Sequence, residues 1–101
     1  MPARGRKPLM ITAIKEIDGQ TILVETSGGI TEALFIKTLL GGLGEAREPT
    51  GFPNGFRVLV KATTSDGLRF WEVRDRLAQE ESIEIHGDVD RRVERERKRQ
   101  V

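Results

Sequence analysis

The sequence predicts a small single α+β domain: an N-terminal β-hairpin, one or two short helices packed on a mostly antiparallel sheet, and basic terminal arms. Three local patterns carry that expectation. Asp18-Gly19 lies between two β-branched runs, Phe56 to Ala62 alternates with a period of two, and Ile30 to Leu40 switches to a helical period. A length of 101 residues suits one domain, because chains divide only beyond about 250 residues. The hydrophobic share of 37% rises to an ordinary value once the 11 glycines are added, so a modest core can form.

Taken in order, residues 1–9 read as a flexible basic arm, since Pro2 and Pro8 bracket a segment suited to neither helix nor strand. Residues 10–87 form the folded domain. Met10 to Ile17 and Thr21 to Thr26 make the hairpin across Asp18-Gly19, whose residues both tolerate positive φ. Ile22 and Val24 share one face of the second strand. After Ser27-Gly28-Gly29, the helical stretch aligns Ile30, Ala33 and Leu34, with Leu34, Phe35, Thr38 and Leu39 as a neighbouring stripe, and a strand through Leu34-Phe35-Ile36 is the competing reading. Gly41-Gly42 ends it, with glycine available for a left-handed cap. Gly41 to Gly55 is glycine- and proline-rich and reads as a long loop.

Phe56, Val58, Val60 and Ala62 then occupy one face of a strand, opposite Arg57, Leu59 and Lys61. Residues 68–80 fit either a second hairpin strand or a helix capped at Ser65 or Asp66; a short strand or turn passing into a helix by Glu72 is the favoured form. Ser82 to His86 reads as a short final strand. Residues 88–101 form a charged helical or disordered tail with Val89 and Val93 as apolar anchors, and only packing would stabilise it.

Composition excludes several functions. The chain has no cysteine, hence no disulfide framework and no thiolate zinc site, and its single histidine excludes multi-histidine metal centres. It has no apolar run of membrane-spanning length, and Met1 to Met10 is too polar for a secretory signal. A soluble, cytoplasmic protein is expected.

The formal net charge of +1 hides an uneven distribution. Residues 1–8 hold three basic residues and no acid, residues 91–101 hold six against two acids, and residues 9–90 hold eight against fourteen. Two basic ends flank an acidic body. Such ends either neutralise phosphates or act as solubilising tails.

Arg4-Gly5-Arg6-Lys7-Pro8 resembles an AT-hook, the arm that follows the narrow minor groove of A·T-rich DNA. The family's core reads Arg-Gly-Arg-Pro; here Lys7 stands before Pro8. The resemblance implies groove contacts for Arg4, Gly5 and Arg6. At the other end, Arg91, Arg92, Arg95, Arg97, Lys98 and Arg99 could contact phosphate. Helical spacing brings Arg91, Arg95 and Arg99, or Arg95 and Lys98, to one side, while Glu94 can pair with Arg91 and Lys98, and Glu96 with Arg92.

Other constellations are weaker. Phe70 and Trp71 with Arg57, Lys61, Arg69 and Arg74 could form a single-strand platform, but the five aromatics of the chain are mostly needed for the core. Glu84, His86, Asp88 and Asp90 would share a face if their strand continued, which Gly87 opposes. Gly41-Gly42-Leu43-Gly44 lacks a following Gly-Lys-Ser/Thr and precedes acidic residues, so it is no phosphate cradle. Ser27 has no base partner in view. An enzyme is not expected, nor is a cofactor. The function expected is nucleic-acid binding through the terminal arms, DNA ahead of RNA, in a regulatory or architectural role and with homo-oligomerisation open. The alternative is a structural or assembly protein.

Overall fold

Alternation in the central strands dictates the architecture. In β2 (Thr21–Thr26) and β5 (Gly55–Lys61), Ile22, Val24, Val58 and Val60 are buried while their sequence neighbours are not. One sheet face is therefore apolar and must be covered. The computed structural model describes residues 9–100, and three helices cover that face.

β1 (Leu9–Asp18) pairs antiparallel with β2, as the hairpin pattern leads one to expect. Its turn differs from expectation: neither Asp18 nor Gly19 adopts positive φ, and the Asp18 carboxylate accepts a 2.7 Å hydrogen bond from the Gln20 N–H instead. The side chain thus closes the turn without left-handed backbone. β1 also breaks strict alternation. Between the Ile11–Thr26 and Ala13–Glu25 pairs, Thr12 is an extra residue. That bulge lets both Ile11 and Ile14 reach the core although they lie three apart. A second register shift precedes Asp18, and Ile17 stays exposed.

Helix α1 (Ile30–Leu40) begins where the Glu32 carboxylate accepts a 2.9 Å hydrogen bond from the Gly29 N–H. The helix matches the sequence reading, but its orientation does not. Ala33, Ile36, Leu39 and Leu40 are buried, whereas Ile30, Leu34 and Phe35 are exposed. Seven of its eleven residues are apolar, so periodicity offers two faces and packing on β5 chooses between them. Gly41 is right-handed at φ −59°, not left-handed, and the turn continues through Leu43.

The expected loop from Gly41 to Gly55 carries two short edge strands, β3 (Glu45–Ala46) and β4 (Thr50–Phe52), both paired antiparallel with β5. Short strands limit the exposed edge. After β5 the chain crosses the sheet through α2 (Phe70–Ala78) to β6 (Ile83–Ile85), which pairs parallel with β1. A parallel partner requires such a crossover, and this is why residues 70–78 are helical and no second hairpin forms across Asp66-Gly67. The helix starts later than Ser65 or Asp66: Arg69 holds the cap position, its N–H bonded to the Glu72 carboxylate at 3.0 Å. Sheet order is β3-β5-β2-β1-β6, with β4 also on β5. After β6 comes α3 (Gly87–Gln100), whose Val89 and Val93 join the common core.

No helix among the described residues is long and apolar enough to cross a membrane.

Candidate nucleic-acid interface

A helix as charged as α3 has little reason to form alone. Contacts with the body hold it. Val89 and Val93, one turn apart, enter the core. Arg92 lays its guanidinium over the Phe70 ring, 5.2 Å from the centroid, with Nη1 3.4 Å from the Ile14 carbonyl. Arg97 donates to Asp75 at 2.7 Å. The helix also suits its own dipole, with Asp88 and Asp90 in the first turn and Arg97, Lys98 and Arg99 in the last.

The firmest attachment comes from α2. Arg74, its side chain only 13% exposed, donates from Nη1 to Asp90 at 3.0 Å and from Nη2 to Glu94 at 2.9 Å. Its Nε lies 3.0 Å from Asp75 without hydrogen-bond alignment and has no hydrogen-bond partner among the described residues. Burial would lower the Arg74 pKa, but the bond to Glu94 and the charges of Asp75 and Asp90 outweigh it and raise it. The same bond to Arg74 holds the Glu94 carboxyl below its ordinary range, against a smaller opposing effect of desolvation.

These contacts sort the C-terminal cations. Arg92 and Arg97 are anchors. Arg99 pairs with Glu96 at 3.2 Å, and Arg91 with Asp88, each within one exposed turn. Arg95 and Lys98 have no ion pair among the described residues. The expected pairs of Glu94 with Arg91 and Lys98, and of Glu96 with Arg92, do not form. Inward-facing Val93 turns Glu94 toward α2, and Phe70 occupies Arg92. Arg91, Arg95 and Lys98 fall at i, i+4 and i+7 on the side away from Val89 and Val93, where they line a shallow depression with Asp90 and Glu94. Arg91 and Arg95 are on one side as expected; Arg99 lies toward the flank with Glu96. The arm residues Arg4, Gly5, Arg6 and Lys7 lie outside the described residues.

The other constellations come apart. Phe70 is buried and Trp71 half-buried in the helical layer, their rings edge-to-face at 5.8 Å. Arg57 and Lys61 belong to the open face of the sheet, so these groups build no common platform. There Arg57 stacks over Phe52 at 4.4 Å and pairs with Glu25 at 3.0 Å. The strand through Glu84 stops at Ile85, and helix α3 starts at Gly87, so Glu84, His86, Asp88 and Asp90 share no strand face. Among the described residues, no group of three or more His, Cys, Asp or Glu is placed to hold a metal ion.

What local pattern missed is the clamp. Arg74 stands twenty positions before Glu94, and nothing in the sequence between them signals that α2 and α3 will touch. Compared with known proteins, the chain matches no family model, no curated protein and no solved structure.

Proposed function

We propose that this is a small, non-enzymatic nucleic-acid-binding protein, DNA ahead of RNA, with a regulatory or architectural role in the cytoplasm. The observation that carries the reading is the outward row of Arg91, Arg95 and Lys98 on a helix anchored to the body through Arg74, Arg92 and Arg97. At 1.5 Å rise per residue the row spans about 10 Å, roughly three phosphates along one strand at 3.4 Å each. Anchoring supports the reading because cations on a fixed helix lose less freedom on binding than cations on a free tail. Local pairs such as Arg91–Asp88 are solvent-exposed and contribute little, so phosphate can replace them. The basic segment Arg4 to Lys7 would add groove contacts, and the acidic body would keep the remaining faces off the nucleic acid.

The test is a fluorescence-anisotropy titration with duplex DNA, duplex RNA and single strands at about 50 and 200 mM salt, the range over which phosphate binding weakens most. Affinity should fall steeply with salt, and duplex DNA should bind best. Arg95→Gln with Lys98→Gln should reduce the log–log salt slope by about 2, since each phosphate left without its cation takes away roughly 0.9, with thermal stability unchanged. No binding at low salt to any of the probes overturns the proposal.

A further inference from the structure

On α3 the outward row of Arg91, Arg95 and Lys98 has carboxylates beside it. Asp90 and Glu94 stand on the flank toward α2, 45% and 54% exposed, with Asp75 of α2 on the same side. There, three carboxylates meet only the two guanidiniums of Arg74 and Arg97, so that flank keeps a negative surplus. Glu96 stands on the opposite flank with Arg92 and Arg99. The row is a narrow cationic strip whose border toward α2 is acidic.

We infer that α3 lies along the phosphate backbone of one strand and reads no bases, so that its contact with duplex DNA is independent of sequence; this rests on the nucleic-acid reading proposed above. Two observations select the backbone over the groove. The first is electrostatic. A helix in the major groove, about 12 Å wide, has phosphates along each flank. Insertion would press Asp75, Asp90 and Glu94 toward one line of phosphates, whereas a helix lying on a single strand presents only the cationic strip. The second is chemical. Base edges are read by Asn or Gln at adenine, a carboxylate at cytosine, an apolar contact at the thymine methyl and Arg or Lys at guanine. Residues 87–99 include no Asn, Gln, Ser or Thr, and their only branched aliphatic side chains, Val89 and Val93, are buried. Each carboxylate of α3 is engaged by a guanidinium: Asp90 and Glu94 by Arg74, Asp88 by Arg91 and Glu96 by Arg99. Only guanine is left with a reader. Arg95, however, has no ion pair among the described residues to hold its fork in the plane of a base edge. A phosphate, with oxygens pointing several ways, accepts such a cation from a range of directions. Contact of this kind holds duplex wherever it lies, the behaviour of an architectural protein, and leaves any sequence preference to Arg4 and Arg6.

Fluorescence anisotropy at about 50 mM salt tests this with two duplexes of equal length, one of alternating G·C and one of alternating A·T pairs. The natural chain is compared with Arg4→Gln plus Arg6→Gln, which removes the arginines of the N-terminal segment. The substituted chain should bind both duplexes with affinities within about twofold, since one base-reading contact discriminates by about fivefold or more. Adding Arg95→Gln should weaken binding to both by the same factor, as loss of a phosphate contact does. Lys98→Gln, at a second exposed position, repeats that comparison independently. A preference of about fivefold or more for either duplex in the substituted chain overturns the inference. Unequal weakening of the two duplexes by Arg95→Gln or Lys98→Gln overturns it as well. So does loss of all binding in the substituted chain while the natural chain still binds. If the natural chain binds neither duplex, the nucleic-acid reading itself falls, and this inference with it.

Discussion

Arg74 of α2 donates to Glu94 of α3 at 2.9 Å while its other terminal nitrogen donates to Asp90 at 3.0 Å, so one guanidinium spans two successive turns of the neighbouring helix. Planar, forked and permanently charged, arginine suits that geometry and lysine does not. The clamp compensates for a helix whose only buried apolar side chains are Val89 and Val93 among the described residues.

Removing it should loosen α3 selectively. Arg74→Ala is expected to lower unfolding free energy by about 1–2 kcal/mol, a value discounted because both acids face solvent. Arg74→Lys should recover only part of this. Urea denaturation measures the loss. Native-state hydrogen exchange should place it in the amides of α3, ahead of those of β2 and β5.

The clamp also makes α3 acid-sensitive. Glu94 has its carboxyl pKa depressed by Arg74, so between the folded and unfolded values the native state binds fewer protons, and stability rises with pH. The contribution is complete above the unfolded value of about 4.3 and disappears as pH falls through the lower folded one. In stability measurements from pH 6 down to 3, Glu94→Gln should be less stable than the natural chain at pH 6 and lose less of its stability toward pH 3.

Thr26 is a fully buried polar side chain with both hydrogen-bonding roles filled. Its hydroxyl donates to the Met10 carbonyl at 2.7 Å and accepts from the Gly28 N–H at 3.1 Å. Thr26→Val has nearly the same shape but leaves the Gly28 N–H without its acceptor and the Met10 carbonyl with only the longer 3.4 Å bond from the Ser27 N–H, and should destabilise by about 1–3 kcal/mol. Thr26→Ser keeps both bonds and should cost less, about the ~0.8 kcal/mol of one buried methyl group. Equal losses in chemical denaturation would contradict this assignment of the hydroxyl.

Two glycines should differ sharply in their tolerance of alanine. Gly55 has φ +152°, and a Cβ there would collide with the Thr26 carbonyl and sit 3.0 Å from the Ser27 Cα. Gly55→Ala should cost at least about 2 kcal/mol, visible as a drop in melting temperature of roughly 8–16 °C for a domain of this size. At Gly19 an added Cβ meets nothing within 4 Å, so Gly19→Ala should stay within about 0.5 kcal/mol of the natural chain.

The sequence by itself determined the features governed by neighbours along the chain. Alternation placed Ile22, Val24, Val58 and Val60 on one face, a two-residue turn signal set the hairpin, and helical spacing marked α1. It also located the basic ends, because charge can be counted without a structure. Contacts between distant residues decided the rest. Whether α1 buries Ile36 or Leu34 depends on how it meets β5, since both faces are apolar. β6 lies parallel to β1 because α2 carries the chain across the sheet. Of the C-terminal cations, Arg92 and Arg97 became anchors because Phe70 and Asp75 came within reach, while Arg95 and Lys98 stayed without an ionic partner among the described residues. Helical period states which residues share a side; only packing states which side faces the protein.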